Sequence, residues 1–140
     1  MRIVIDTNIF VSALRSDLGA SYALISQIPS DKFQIVLTIP LYLEYQDVLT
    51  RPEHMSGKSS KDDIINFLRY ICSIAYKQQI YYLWRPWVKD PNDDMVLEAA
   101  VASQSKYIIT HNLHDFKGIN AYFGIKAITQ GKFLSILRGK

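Results

Sequence analysis

Short apolar runs alternate with helical patterns along the 140-residue chain. The first run, Ile3 to Ile5 within the segment Arg2 to Asp6, is continuously apolar, which is typical of a strand buried on both faces of a parallel sheet. Further strands are predicted at Phe33 to Ile39, Tyr81 to Trp84, Tyr107 to Thr110 and Lys126 to Thr129. Helices are predicted at Ile9 to Leu14, Tyr22 to Ile28, Leu41 to Leu49, Asp62 to Tyr76, Pro91 to Ser103 and Lys132 to Leu137. The polar stretch Glu53 to Lys61 predicts a surface loop.

This alternation of strands and helices predicts an α/β fold with a mainly parallel sheet. The length predicts a single domain over residues 1–140. In such folds ligands bind beyond the carboxyl ends of the strands, where the strand order reverses. Residues that directly follow a strand are therefore the best candidates for functional chemistry.

Acidic residues follow two of the predicted strands. Asp6 ends the first strand, in IVIDTN, where it is either the cap of the next helix or a metal ligand at the strand end. Asp115 follows the strand that ends at Thr110, in THNLHDF, with Asn112 between them. Each of these is an ordinary turn residue when taken singly. Their recurrence after two buried strands indicates a shared polar site.

Glu44 lies on the apolar side of a predicted helix. It comes three residues after Leu41 and four before Val48, so helical spacing puts it in an apolar stripe. A carboxylate there is desolvated and needs a cation or a proton nearby. A metal-binding role fits this position. The alternatives are that the side chain reaches the helix edge or pairs with a lysine or arginine.

Three more acids open the helix in KDPNDDMVLEAAV. Asp90 is the predicted N-cap, Pro91 the first helical residue, and Asp93 lies where an acid reaches back to the cap. Acids also suit the positive end of a helix dipole, so a structural role explains part of this cluster.

Helical phase separates the two neighbouring acids of this helix. Asp93 shares a face with Val96 and Leu97, the side predicted to face the sheet. Asp94 shares a face with Glu98, which is predicted to be more exposed. Asp93 is therefore the preferred site residue, with Asp94 as its alternative.

A set of four acids without a cysteine cluster suits a hard cation, Mg²⁺ or Mn²⁺. Close carboxylates repel each other, so a cation is needed to hold them together. Such a metal lowers the pKa of a bound water and stabilises charge on a phosphoryl group. The chemistry that these residues favour is hydrolysis of a phosphodiester by water, with no covalent intermediate on the enzyme.

Composition narrows the class of protein without deciding its function. The net charge of +3 is compatible with nucleic-acid binding, although dedicated binders are usually more basic. The single cysteine, Cys72, excludes an intramolecular disulfide and indicates a reducing, cytoplasmic setting. No stretch approaches the roughly 20 apolar residues of a membrane span, so no membrane association is expected. His111 and His114 do not form a zinc pattern, but His111 is a candidate contact to a phosphate.

Taken in order, IVIDTN, the helical Glu44, DPNDDMVLEAA and YIITHNLHDF resemble the PIN domain along essentially the whole chain. The resemblance is greatest to the bacterial and archaeal branch that comprises the toxins of toxin–antitoxin pairs. The DTN opening is common elsewhere. The ordered set that ends in T-x-N-x-x-D-F is specific.

This resemblance implies a Rossmann-like, three-layer α/β/α sandwich with sheet order 3-2-1-4-5 and an Mg²⁺- or Mn²⁺-dependent endoribonuclease. It implies an RNA substrate, an antitoxin protein as partner and a homo-oligomer. The implied catalytic and metal-binding residues are Asp6, Glu44, Asp93 and Asp115, with Asn8, Thr110 and Asn112 as supporting polar residues. Many members have Asp where this chain has Asn112, which lowers the charge of the site by one unit. The alternative is a non-catalytic module with the same fold that binds RNA or protein.

Overall fold

The computed structural model describes residues 1–16, 18–54, 60–80 and 91–139. The strands are β1 (Arg2–Ile5), β2 (Gln34–Leu37), β3 (Tyr76–Lys77), β4 (Tyr107–Ile109) and β5 (Lys126–Ile128). The α-helices are α1 (Thr7–Arg15), α2 (Ala20–Ile25), α3 (Ile39–Leu49), α4 (Lys61–Ile74), α5 (Pro91–Ser103), α6 (Ile119–Phe123) and α7 (Gln130–Leu137). Short 3₁₀ helices span Pro52–His54 and Leu113–Phe116.

The sheet has five strands in the order β3-β2-β1-β4-β5, and neighbouring strands pair in parallel. The chain builds outward from β1 to β3 and then crosses to β4 on the other side of β1. The strand order therefore reverses between β1 and β4, where Ile5 pairs with Ile109. The predicted α/β fold with sheet order 3-2-1-4-5 is confirmed. The topology places the expected binding crevice beyond Ile5 and Ile109.

The apolar runs form strands because helices cover the sheet. Ile3, Val4 and Ile5 of β1 are fully buried. Helix α5 packs against β1, β2 and β4, and α1 packs against α2 and α3. A single cluster of buried apolar side chains fills the space between these elements. The position of β1 at the centre of the sheet explains why its sequence does not alternate between apolar and polar residues.

Two predicted elements differ from the structure, and a third lies where no comparison is possible. Helix α4 ends at Ile74 rather than Tyr76, because Ala75 has an extended backbone and Tyr76 pairs with Val36 in the sheet. The strand predicted at Tyr81 to Trp84 lies outside the described residues. In the predicted loop at 53–61, residues 53 and 54 belong to a 3₁₀ helix, and residues 55–59 lie outside the described part.

Helix α6 was not predicted. It is bracketed by Gly118 and Gly124, whose φ angles are 90° and 73°. Glycine tolerates this left-handed backbone better than other residues, which makes the helix short and sharply bounded.

Of the helices in the described ranges, none is long and apolar enough to cross a membrane.

Candidate functional site

Asp6 lies directly after β1, in the crevice between β1 and β4. Its backbone N–H donates to the Ile109 carbonyl at 2.9 Å, which continues the strand pairing. Its carboxylate accepts two hydrogen bonds, from the Thr7 N–H at 2.8 Å and from the Thr110 hydroxyl at 2.7 Å. Asp6 is the N-cap of α1 and is only 6% exposed. Asp6 therefore caps α1, as one of the two sequence-based interpretations expected. A role as a metal ligand has to be compatible with this cap.

A small polar network surrounds Asp6. The Asn8 side-chain amide lies 3.4 Å from both the Asp6 carboxylate and the Thr110 hydroxyl, which is long for a hydrogen bond. The Asn112 backbone N–H donates to the same hydroxyl at 3.0 Å. The predicted supporting residues therefore gather at one strand end. Asn112 takes part through its backbone, and Thr110 is the residue that orients Asp6.

Burial raises the pKa of the Asp6 carboxyl above its ordinary value. The hydrogen bonds from Thr110 and Thr7 lower this pKa, the charge of Asp115 raises it, and His111 lowers it. Asp115, on the 3₁₀ helix Leu113–Phe116, is exposed but lies within electrostatic reach of Asp6. Because like charges disfavour each other's ionisation, a cation between these two carboxylates would relieve an existing repulsion.

Glu44 lies on α3 at the edge of the buried stripe formed by Leu41, Tyr45 and Leu49, and it is half-buried rather than fully buried. The pKa of the nearby Arg51 guanidinium is raised mainly by the hydrogen bond and the charge of Asp47. The charge of Glu44 raises this pKa further, so Glu44 lies within electrostatic reach of Arg51. Glu44 is thus partly solvated and has a basic neighbour, so its environment does not by itself require a metal.

Tyr45, next to Glu44, connects α3 to the site and was not identified from the sequence. Its buried hydroxyl donates to the Ile5 carbonyl, directly before Asp6. Burial raises the pKa of Tyr45 well above its ordinary value, and the charges of Asp6 and Glu44 raise it further. The phenol therefore remains a neutral donor that holds the end of β1 in place.

We expect Tyr45→Phe to lower the free energy of unfolding by about 1 kcal/mol, because one buried hydrogen bond is lost while the ring is kept. In a chain of this size that corresponds to a fall in Tm of roughly 3–5 °C. Tyr70→Phe, at a position that is 46% exposed, serves as the control and should leave Tm unchanged. Equal melting of the two variants and the parent in a thermal scan would contradict this role for Tyr45.

The acids of α5 are all buried, contrary to the prediction for two of them. Asp93, Asp94 and Glu98 are 8%, 3% and 2% exposed. The predicted exposure of the Asp94–Glu98 face is wrong, because α5 packs against both the sheet and α3. Glu98 is a candidate that the sequence reasoning missed. The segment MVLEAAVA has apolar residues on all sides of the helix. This pattern could have predicted the burial of Glu98, since such a helix is usually buried on several sides. The predicted cap, Asp90, lies outside the described residues.

Two cavities adjoin these acids. Glu98 lines a cavity of about 810 Å³ together with Thr38 and Lys77, near the carboxyl ends of β2 and β3. Glu44 lines another of about 420 Å³ together with Met95, the residue after Asp94. The second cavity brings Glu44 of α3 near Met95 of α5.

The chemistry of these groups fits a hard divalent cation, since the donors are carboxylate and other oxygen atoms. Their spacing is more open than a finished coordination shell. Within the described ranges, no group of three or more His, Cys, Asp or Glu side chains lies close enough together to hold a metal ion. The geometry brings Asp6, Asn8, Thr110 and Asp115 to one strand end.

A family model for the PIN domain matches residues 2–114 of the chain. The match includes Asp6, Glu44 and the acids of α5 but ends one residue before Asp115. The expectation that Asp115 belongs to the site therefore rests on its charge, which raises the pKa of Asp6. No curated protein matches the chain.

Solved structures with a similar fold include two toxin–antitoxin complexes named VapBC. One is of VapBC-1 from nontypeable Haemophilus influenzae, with 16% identity, a TM-score of 0.62, and 94% of this chain and 99% of that chain covered. The other is of VapBC2 from Rickettsia felis bound to a DNA fragment from their promoter, with 15% identity, a TM-score of 0.61, and 92% and 98% covered. At these identities the likeness concerns the fold.

Proposed function

Because the chain belongs to the PIN-domain family, we propose that it is a metal-dependent endoribonuclease that hydrolyses RNA phosphodiester bonds. The observation that carries this proposal is the state of Asp6. Its carboxylate is buried, oriented by Thr110 and Thr7, and in electrostatic conflict with Asp115 at the point where the strand order reverses. A site of this kind has a place for a divalent cation, Mg²⁺ or Mn²⁺.

Asp6 and Asp115 would hold the cation, with Glu44 and an acid of α5 completing the set. When bound, the cation makes a water more acidic and offsets charge on the phosphoryl oxygens. The chain's own residues fix the geometry: Thr110 and the Thr7 N–H hold the two Asp6 oxygens, and Tyr45 holds the carbonyl before them. Asn8 bridges the carboxylate and the Thr110 hydroxyl at 3.4 Å and adds an amide to the rim.

Between the two acids of α5 we favour Asp94 over the Asp93 that the sequence preferred. Asp94 and Glu98 are four residues apart on one helical face, and both are almost fully buried. Like charges at this spacing destabilise a helix, and burial increases the cost. A cation bound beside this face would offset the repulsion between the two carboxylates. The face of Asp93 instead continues into Leu97 and Ala100, which are completely buried apolar residues.

The biological role that we propose is the toxin component of a toxin–antitoxin pair. The similarity in fold to the two VapBC structures over more than nine tenths of the chain supports this role. It implies an antitoxin protein as partner, a homo-oligomer and a cytoplasmic location. The whole chain, residues 1–140, would form the single PIN domain.

A non-catalytic module that binds RNA or protein is the second candidate. It is favoured by one observation: the carboxylates of the described part do not converge as a group of three. The retention of a buried, desolvated Asp6 beside a second carboxylate favours the nuclease, because a binding module gains nothing from such repulsion.

RNA cleavage with controlled metal content tests the proposal. We expect the purified protein to cleave a long single-stranded RNA internally in Mg²⁺ or Mn²⁺, to stop in EDTA, and to recover when Mn²⁺ is added in excess of the chelator. The physical reason is that the carboxylate site cannot approach a polyanion without a cation. Undiminished cleavage in EDTA would contradict the mechanism. RNA binding without cleavage in any divalent cation would support the non-catalytic module.

A further inference from the structure

His111 lies at the rim of the Asp6 site but has no part in the chemistry described so far. It directly follows Thr110, and its backbone N–H lies 3.4 Å from the Asn8 side-chain oxygen. Its ring is close enough to lower the pKa of Asp6. The side chain is nevertheless exposed. His111 therefore presents a nitrogen-bearing ring to solvent beside the buried carboxylate.

Gln130, the first residue of α7, holds this ring from one side. Its side-chain amide nitrogen lies 3.1 Å from His111 Nδ1. An amide nitrogen only donates, so Nδ1 accepts, and the proton of a neutral ring is carried by Nε2. In the present orientation of the amide, one carbonyl oxygen, Gln130 Oε1, is buried without a hydrogen-bond partner. The reverse orientation would instead bury the two N–H donors of the amide without partners, which costs more free energy. His111 consequently offers an N–H at Nε2 whether its ring is neutral or protonated.

An acidic site that acts on RNA needs donors directed at the phosphates, because its carboxylates repel the backbone. We propose that His111 contacts the substrate, donating a hydrogen bond from Nε2 to a non-bridging phosphate oxygen of the RNA, and that Gln130 positions the ring. This inference rests on the proposed ribonuclease function. It assigns to the site a substrate contact that a metal does not provide.

Binding is measured in a protein whose cleavage is strongly reduced, so that affinity and chemistry are separated. The variants are made in the Asp6→Asn protein, and the probe is a fluorescein-labelled, mixed-sequence single-stranded RNA of 12 nucleotides, followed by fluorescence anisotropy. We expect His111→Ala to raise Kd about 10-fold, in the range for a hydrogen bond to a charged group. His111→Gln, which restores an N–H donor, should recover most of the affinity.

His54 provides a matched control within the chain. It is half-buried, and its Nδ1 also meets a side-chain nitrogen, that of Arg15 at 3.3 Å. Arg15 is at the far end of α1, about 12 Å along the helix from Thr7. His54→Ala should leave the Kd for RNA unchanged.

A double-variant comparison tests the positioning role of Gln130. Gln130→Ala should weaken RNA binding about 3-fold, and adding it to His111→Ala should have no further effect, since the two residues act as one unit. In the cleaving parent, His111→Ala should raise KM about 10-fold and change kcat less than about 2-fold, because the contact exists before the transition state.

An unchanged Kd on His111→Ala would overturn the inference, as would an Asp6→Asn protein that does not bind RNA measurably. If the parent cleaves RNA but His111→Ala binds like its background, the phosphate contact fails and the proposed function stands. If His111→Ala loses affinity but the parent cleaves no RNA in any divalent cation, the contact stands and the proposed nuclease activity fails.

Discussion

Asp6→Asn is expected to reduce metal-dependent RNA cleavage by roughly 100-fold or more while leaving the protein folded. Loss of a residue that only supports a metal ligand typically costs about 10–100-fold, so loss of a ligand's charge should lie at or beyond the upper end of that range. The fold is retained because asparagine is as good an N-cap as aspartate and still accepts from the Thr7 N–H. The measurement is cleavage rate in Mn²⁺, with circular dichroism to confirm folding.

The stability of this variant follows from the direction of the Asp6 pKa. Burial and Asp115 raise the pKa in the folded state. An acid with a raised folded-state pKa stabilises the fold only below its ordinary range near pH 3.9, and this contribution is lost as the pH rises through the folded-state pKa. At neutral pH the ionised Asp6 therefore opposes folding. In EDTA at pH 7, Asp6→Asn should melt at the same temperature as the parent or higher, and the difference should shrink as the pH falls towards 4.

Asp6→Ala is the matched control, since it removes both the charge and the cap. Loss of an N-cap costs about 1 kcal/mol, with or without metal. Asp6→Ala should therefore melt below Asp6→Asn, although we expect cleavage to be strongly reduced in both. If Asp6→Asn melts as low as Asp6→Ala and still cleaves RNA, Asp6 is only a helix cap.

The second large effect is expected on α5, where Asp94→Asn should reduce cleavage at least about 10-fold more than Asp93→Asn, in the range for loss of a metal ligand's support. The reason is the buried pair formed by Asp94 and Glu98, on the face that also reaches the cavity near Thr38. Both substitutions keep side-chain size and remove one charge, so each is the control for the other. Initial rates at saturating Mn²⁺, with Tm values for each variant, give the comparison.

The opposite order, with Asp93→Asn the more damaging, would restore the choice made from helical phase alone. Equal and small effects would remove α5 from the site altogether. Glu98→Gln distinguishes a shared role from a single ligand. If the two acids bind the cation together, this change should also lower activity and should add little to Asp94→Asn.

The central strands and the meeting of Asp6 with Thr110 were predictable from the sequence. Continuous apolar runs identify β1 and β4 because both faces of these strands are covered. Because β1 and β4 are neighbours in the sheet, the residues that follow them, Asp6 and Thr110, lie side by side. Their 2.7 Å hydrogen bond is the consequence. The proximity of Asp115 to Asp6 follows from the same topology, over a separation of more than a hundred residues.

Helical phase was less reliable, because it depends on which sides of a helix other elements cover. On α4, helical spacing in the sequence aligns the apolar residues Ile65, Leu68 and Cys72, whereas the buried residues in the structure are Ile64, Leu68 and Ile71. Ile65 and Cys72 lie at the margin of the core. On α5 the error was larger. The acidic residues of one face predicted exposure to solvent, but α3 packs against this helix.

Short elements carried too little periodicity to be seen. Strand β3 has two residues, Tyr76 and Lys77, and it is defined by pairing with Val36 and Leu37 rather than by a pattern of its own. The tyrosine that fixes the end of β1, Tyr45, looks in the sequence like any aromatic residue of a helical core. The role of its hydroxyl becomes evident only from the fold, which places the Ile5 carbonyl within hydrogen-bond distance of it.

The central claim, that the Asp6 carboxylate binds a divalent cation, is tested most directly by thermal melts of the parent and Asp6→Asn proteins in EDTA and in Mn²⁺. A ligand present at 100 times its Kd stabilises the folded state by about 2.7 kcal/mol. We therefore expect Mn²⁺ to raise the Tm of the parent by several degrees and to have little effect on Asp6→Asn. Equal stabilisation of both proteins by Mn²⁺, or none in either, would contradict the account.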